Sequence, residues 1–102
     1  MNYRPPSDEE LEMMEVRLRA ASSVIPRPWK PLRETKDGVG GSSFICGGDP
    51  EQDHEIYIEL NLVGEVVGSP DPRLDEVIEF LGHSADDLER LIFEVRRLRG
   101  NA

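Results

Sequence analysis

The sequence predicts an α+β domain, in which an N-terminal helix is followed by a three-stranded antiparallel β-meander and by two C-terminal helices packed on one face of the sheet. Apolar residues recur at steps of three and four near both ends of the chain, which is typical of amphipathic helices. Between them, residues 55–63 alternate apolar and polar side chains, as a half-buried strand does. A chain of 102 residues has room for one core, so we expect a single domain over residues 7–100 after a flexible arm of residues 1–6.

The first helix has clear start and stop signals. Ser7 and Glu10 form the two ends of a capping box, in which each side chain accepts a hydrogen bond from the other residue's backbone. Pro26 and Pro28 end the helix because proline lacks an amide donor. We therefore place the helix at residues 8–23. Its buried stripe is predicted to contain Leu11, Met14, Leu18, Ala21 and Ile25.

Three strands are expected in the middle of the chain. The first is residues 29–35, in which Pro31 favours an edge position. Glycines between residues 38 and 41 supply a hairpin connection to a second strand at residues 42–46. The third strand is residues 55–63, and residues 66–67 extend it past a bulge at Gly64.

The last third of the chain is predicted to form two helices. The first runs from Arg73 to Leu81 and is stopped by Gly82, and Ser84 caps the second. The second helix carries an apolar seam that we expect to pack on the protein's own sheet. Because the seam fits heptad spacing, a symmetric dimer through it is the alternative. The seam consists of Leu88, Leu91, Val95 and Leu98.

Charge is distributed very unevenly along the chain. Residues 37–87 contain thirteen carboxylates and one base, Arg73, a net charge of −12 within a total of −9. Phosphate groups require Lys and Arg, so direct binding to nucleic acid or to an anionic membrane is not expected. The single cysteine, Cys46, cannot form an internal disulfide, which favours a cytoplasmic protein.

Patterns that could support chemistry fail in detail. The acids from Asp49 onward resemble a calcium loop, but His54 occupies the position that requires glycine and Leu60 the position that requires glutamate. The glycines of residues 38–43 lack the lysine of a phosphate-binding loop. Cys46 with His54 or His83 could form a nucleophile and its base, yet Cys46 follows apolar strand residues. We predict no catalytic residue, metal or cofactor. One alternative is an enzyme or small-ligand protein with a pocket near Cys46 and His54, and another is a self-associating structural module that uses the C-terminal seam or an open sheet edge.

Three segments together are similar to a pattern in small uncharacterised proteins of phages and actinobacteria. That pattern runs Pro-Gly-Pro-Trp, then Gly-Gly-x-Ser-Phe-Ile, then Leu-Leu-x-Glu-Val-x-Arg-Leu. The matching segments here are Pro26-Arg27-Pro28-Trp29, residues 37–45 ending in Ser43-Phe44-Ile45, and residues 80–98 with Leu91-Ile92-Phe93-Glu94-Val95-Arg96-Arg97-Leu98. The resemblance implies an α+β module encoded by a phage or prophage, and it implies no activity.

Together these features predict a small acidic, non-enzymatic protein that acts by binding another protein. Since the resemblance implies a phage or prophage setting, we expect this binding protein to be an inhibitor, regulator or immunity factor. Dense carboxylates favour a basic partner protein, and a mimic of nucleic acid is the extreme form of this hypothesis. The chain itself is expected to be a monomer or a homodimer. The predicted partner-binding residues are Asp49, Glu51, Asp53, Glu55, Tyr57, Glu59, Asp75, Glu76 and Glu79.

Overall fold

Two helices and five short strands make up the fold over residues 3–38 and 41–100, which are the residues that the computed structural model describes. In chain order they are α1 (Asp8–Val24), β1 (Trp29–Leu32), β2 (Phe44–Gly47), a 3-10 turn (Pro50–Gln52), β3 (His54–Ile56), β4 (Leu60–Leu62), β5 (Glu65–Val67) and α2 (Pro72–Leu98). Strands β1, β2 and β3 form an antiparallel sheet in that order, and β4 pairs with β5. The predicted α+β class, N-terminal helix and three-stranded sheet are confirmed.

The core lies between the three-stranded sheet, the β4–β5 hairpin and the first half of α2. Ile45 of β2 lies at the centre of this core. It is in register with Pro31 of β1 and with Ile56 of β3. Trp29 packs against this cluster and donates its indole N–H to the Ile25 carbonyl at 3.0 Å. The fully buried members are Ile45, Val67, Leu74 and Ile78.

Helix α1 begins at the predicted capping box. The Glu10 amide donates to the Ser7 hydroxyl at 3.1 Å, and the Ser7 amide donates to the Glu10 carboxylate at 2.9 Å. Leu11 and Leu18 of the predicted stripe are buried, whereas Ala21 is exposed. In the segment expected to be a flexible arm, Arg4 forms an ion pair with Glu10. Residues 1 and 2 of that arm lie outside the described residues.

The predicted third strand is wrong as a single element. Residues 54–56 form β3 beside β2, whereas residues 60–62 form β4 and pair with β5. Ile56, Ile58 and Leu60 all pack against the one core, so their alternation records burial and not one continuous ladder. Gly64 makes a turn and no bulge: Val63 and Gly64, with φ of 51° and 81°, form a two-residue hairpin turn.

The two predicted C-terminal helices are one helix, α2, which runs through Gly82. A Cβ at this position would lie 2.7 Å from the Pro31 Cβ, so Gly82 allows β1 to approach the helix closely. Ser84 donates its hydroxyl to the Leu81 carbonyl at 2.7 Å within the helix and does not cap a new one. Pro31 lies on the predicted edge strand, since β1 is an outer strand of its sheet.

Helix α1 packs against the second half of α2, and the two helices are antiparallel. Arg99 at the end of α2 pairs with Asp8 at 3.1 Å, and Arg96 pairs with Glu15. After α1, Arg27 reaches Asp86 at 3.2 Å near the middle of α2. The sheet and α1 therefore lie end to end along one side of a helix about 40 Å long. The radius of gyration is 16.2 Å, above the ~13 Å of a close-packed domain of this length.

Candidate functional site

The segment from Asp49 to Glu59 concentrates negative charge that nothing else in the described chain neutralises. It begins at the tight connection between β2 and β3, continues along β3, and ends just before β4. None of its carboxylates has a cationic group within 4 Å among the residues that the structure describes. We call these side chains the acidic strip: Asp49, Glu51, Asp53, Glu55 and Glu59.

Three other predicted partner-binding residues have a different environment. Glu76 pairs with Lys36 at 3.5 Å, and Glu79 lies 3.5 Å from Arg33, so bases from the turn after β1 compensate both carboxylates. Asp75 is completely buried. The sequence analysis had placed Asp75 on an exposed contact surface. Because the residue is buried, its carboxylate has a structural role and is not part of such a surface.

Tyr57 is an aromatic residue that lies between Glu55 and Glu59 of the acidic strip. Its side chain is 61% exposed, and its ring stacks on Phe44 with 5.4 Å between the ring centroids. The Tyr57 hydroxyl donates a hydrogen bond to the Glu55 carboxylate. This hydrogen bond raises the pKa of Tyr57 above its ordinary value. Tyr57 is thus held flat beside the acids, with one ring face against the protein.

A shallow pocket of about 270 Å³ lies next to Tyr57 and Glu59. Hydroxyl groups and the Glu59 carboxylate line it, so the pocket offers hydrogen-bond acceptors and a negative charge. The sequence analysis had not included its serines, because they come from two segments 26 residues apart that only the fold brings together. The lining residues are Ser42, Ser43, Tyr57, Ile58, Glu59, Gly68, Ser69 and Leu74.

A buried polar network forms the floor of this pocket. Ser43 donates its hydroxyl to Asp75, and so does Thr35. Ser69 in turn accepts from the Ser43 amide at 2.8 Å and lies 3.2 Å from the Ser43 hydroxyl. Burial acts to raise the pKa of Asp75, but the hydrogen bonds from Ser43 and Thr35 outweigh it, and the pKa lies below its ordinary value. The ionised Asp75 carboxylate therefore lies beneath the pocket, separated from it by the Ser43 hydroxyl.

The residues considered for enzymatic chemistry do not come together. Cys46 is in register with Glu55, and Gly47 with His54, so the Cys46 and His54 side chains point to opposite faces of the sheet. His83 lies on α2 and contacts Glu79 at 3.1 Å. Within the described ranges, no three His, Cys, Asp or Glu side chains are grouped so that they could hold a metal ion.

The predicted seam on the last helix does not pack on the sheet. Leu91 is 63% exposed and Leu98 is 71% exposed, while Leu88 and Val95 are half-buried. The expectation that the protein's own sheet covers this seam is therefore wrong. Sheet contacts are made by the first half of α2, through Leu74 and Ile78.

Comparison with known proteins gives no independent indication of function. No protein family, curated protein or solved structure matches this chain. No helix among the described residues has both the length and the apolar character needed to cross a membrane.

Proposed function

We propose that this protein acts by binding another protein, and that a basic segment of the partner lies along the acidic strip. The observation that carries the proposal is the contrast in charge pairing. Most carboxylates elsewhere, such as Glu76, Glu79 and Asp86, have a base within 4 Å, whereas none of the five in the acidic strip has one among the described residues. Unpaired charges on one segment speed encounter with a partner of opposite charge and disfavour acidic partners.

The pocket beside the strip gives the proposal a specific contact. A Lys or Arg side chain that enters it meets the Glu59 carboxylate and the hydroxyls of Ser42 and Ser69. The ionised Asp75 below the floor adds attraction for a cation. Tyr57, stacked on Phe44, offers a ring face for a guanidinium group. The partner is therefore a basic protein that presents an exposed Lys or Arg.

We further propose a phage or prophage setting, in which the protein acts as an inhibitor, regulator or immunity factor. The support for this finer proposal is the resemblance of residues 26–29, 37–45 and 80–98 to small phage and actinobacterial proteins. Such roles require no catalysis, because a protein that binds to a basic surface of its partner already blocks that surface.

The proposal can be tested with a peptide probe before the natural partner is identified. An eight-residue peptide of alternating Arg and Gly is titrated into labelled protein, and backbone amide shifts are followed by NMR. We expect the shifts to concentrate in residues 42–59 and 68–69. Affinity should fall roughly tenfold as salt rises from about 50 to about 500 mM, because screening weakens attraction between exposed charges.

Charge-matched variants separate a site from a net-charge effect. The triple variant Asp53→Asn, Glu55→Gln, Glu59→Gln removes three negative charges from the acidic strip. The control Glu9→Gln, Glu12→Gln, Asp87→Asn removes three from exposed positions on α1 and α2. The first should abolish the localised shifts, and the second should leave them in place. Equal weakening by both variants would mean that the acidic strip is not a binding site.

A further inference from the structure

A cleft of about 330 Å³ lies between α1 and the second half of α2. Residues 15–19 of α1 and residues 89–96 of α2 form its two sides, and we call it the interhelical cleft. Leu18 and Ile92 line it and are buried, so they form its floor, whereas Phe93 is 64% exposed. Ligand pockets in proteins begin at about 300 Å³, so a cleft of this size suits a small molecule.

One end of the interhelical cleft has an excess of positive charge. Glu15 pairs there with two guanidinium groups, that of Arg96 and, at 3.6 Å, that of Arg19. Among the described residues, neither arginine has a second carboxylate within 4 Å. The Glu15 side chain is 25% exposed, whereas that of Arg19 is 68% exposed. Arg19 is therefore free to reach an anion in the cleft.

The other end of the interhelical cleft has an excess of negative charge. Arg27 also lines the cleft, and it donates hydrogen bonds to Asp86 at 3.2 Å and to Glu89. Within the part of the chain that the structure describes, neither of these carboxylates has a second base within 4 Å. The Arg27 side chain is 21% exposed and that of Glu89 is 58% exposed. Glu89 is therefore free to reach a cation in the cleft.

The spacing of the two ends sets the length of a complementary ligand. Glu89 and Arg96 are seven residues apart, so they lie on one face of α2 and about 10 Å apart along its axis. Ile92 and Phe93 lie between them, which gives the order negative, apolar, positive. A ligand with charge of one sign would meet like charge at one end. The complementary ligand is therefore a zwitterion with an apolar middle.

We propose that the interhelical cleft binds a short peptide with free termini and an apolar central side chain. Three extended residues span about 10 Å at roughly 3.3–3.6 Å each, and free termini supply an ammonium and a carboxylate at neutral pH. The ammonium group lies at Glu89, the carboxylate at Arg19 and Arg96, and the central side chain against Phe93. This inference does not depend on the proposed function, because the interhelical cleft shares no residue with the acidic strip or its pocket.

The tripeptide Ala-Leu-Ala is the probe for this site. It is titrated into the labelled protein while backbone amide shifts are followed by NMR. We expect saturable shifts at residues 15–27 and 89–96 and not at residues 42–59. The dissociation constant should be on the order of 100 μM, as typical ligand efficiency gives for about 19 non-hydrogen atoms. The absence of saturable shifts at a peptide concentration of about 5 mM would overturn the proposal.

Blocked forms of the probe test whether both of its charges are recognised. N-acetylation of the peptide removes its ammonium charge, and C-terminal amidation removes its carboxylate. Each change should weaken binding at least tenfold, because a charge-assisted hydrogen bond is lost. An acetylated peptide that binds as tightly as the free one would mean that the cleft is a simple anion site, and the peptide proposal would be wrong.

Two arginine variants of α1 distinguish recognition of the carboxylate from a general effect of charge. Arg19→Gln should weaken binding of Ala-Leu-Ala about tenfold and leave binding of the amidated peptide unchanged, because only the free peptide presents a carboxylate. The matched control is Arg17→Gln, which is exposed on the same helix and does not line the cleft. It should leave both affinities unchanged. Equal losses in the two variants, or equal losses for the two peptides in Arg19→Gln, would overturn the proposal.

Discussion

Gly82 of α2 lies directly against the ring of Pro31 in β1, and this close approach sets the distance between the sheet and the helix. A Cβ at position 82 would meet the Cβ, Cγ and Cδ atoms of Pro31 at 2.7, 2.9 and 2.8 Å. Glycine inside a helix costs about 1 kcal/mol relative to alanine. At this position that cost is offset by the packing of β1, which no other residue type allows without displacement.

Gly82→Ala should therefore destabilise the protein, although alanine is the better helix former. We expect the free energy of unfolding to fall by about 1–3 kcal/mol, because the proline ring cannot move like a flexible chain end. Urea denaturation measures the change. The double variant Gly82→Ala, Pro31→Gly removes all three clashing atoms of residue 31 and should recover part of the loss. Additive effects of the two substitutions would show that this contact is not what makes Gly82→Ala costly.

Asp75→Asn should destabilise the fold by about 2 kcal/mol, because it removes an ionised acceptor from Ser43 and Thr35 in a buried site. Glu76→Gln is the neighbouring control. It alters an exposed pair with Lys36 and should cost less than about 0.5 kcal/mol. Urea denaturation at neutral pH compares the two. Equal costs would contradict the structural role of the buried carboxylate.

The same carboxylate predicts how stability depends on pH. The pKa of Asp75 is lower in the folded chain than the ~3.9 of an unfolded one, so the unfolded state binds this proton more readily. Its contribution is complete above the unfolded pKa and is lost as pH falls through the folded pKa. Wild type should therefore lose more stability than Asp75→Asn between about pH 5 and pH 2. Parallel pH profiles of the two unfolding free energies would refute this.

Val63→Asn should stabilise the β4–β5 hairpin. Val63 is fully exposed and has a φ of 51°, which a β-branched residue adopts only with strain, whereas asparagine tolerates it. We expect a gain of about 0.5–1 kcal/mol. Gly64→Ala, in the next position with a φ of 81°, should act in the opposite direction. Thermal unfolding of both variants gives the answer, and a destabilised Val63→Asn would contradict the strained turn.

Arg27→Ala should cost about 1–2 kcal/mol, because this half-buried guanidinium joins the end of α1 to Asp86 and Glu89 of α2. The control is Arg97→Ala, which removes an exposed pair with Glu94 and should cost no more than about 0.5 kcal/mol. Denaturation at low and high salt distinguishes the two positions. A loss at Arg27 no larger than at Arg97 would mean that the bridge does not hold the helices together.

Local signals predicted the fold best. The start of α1 was predictable because the hydrogen bonds between Ser7 and Glu10 span only three residues. The continuation of α2 through Gly82 was not predictable, because this glycine is required by its contact with Pro31, which lies 51 residues earlier in the chain. The division between β3 and β4 was hidden for a related reason. Residues 56, 58 and 60 face one core across two sheets, and alternation alone does not reveal which strand is the partner.

The candidate site was predictable in composition but not in arrangement. The acids of residues 49–59 are evident in the sequence, yet the absence of bases beside them depends on where the turn after β1 folds. That turn brings Arg33 and Lys36 to Glu79 and Glu76, and it leaves the acidic strip uncompensated. The pocket could not be foreseen, because Ser43 and Ser69 are 26 residues apart in the sequence and form their hydrogen bonds only in the folded chain. The partner and the biological role stay predictions.

The two outer strands of the sheet have a consequence for solubility. An exposed strand edge invites the edge of another molecule, and repeated pairing of this kind leads to fibres and precipitates. In this protein β1 carries Lys30 and Pro31 at one border, and β3 carries Glu55 with Asp53 just before it at the other. At the β1 edge, Pro31 has no amide N–H to donate to the strand of a neighbouring molecule. At the β3 edge, the carboxylates of two neighbouring molecules repel each other. Concentrated solutions of this chain should therefore resist aggregation through sheet extension.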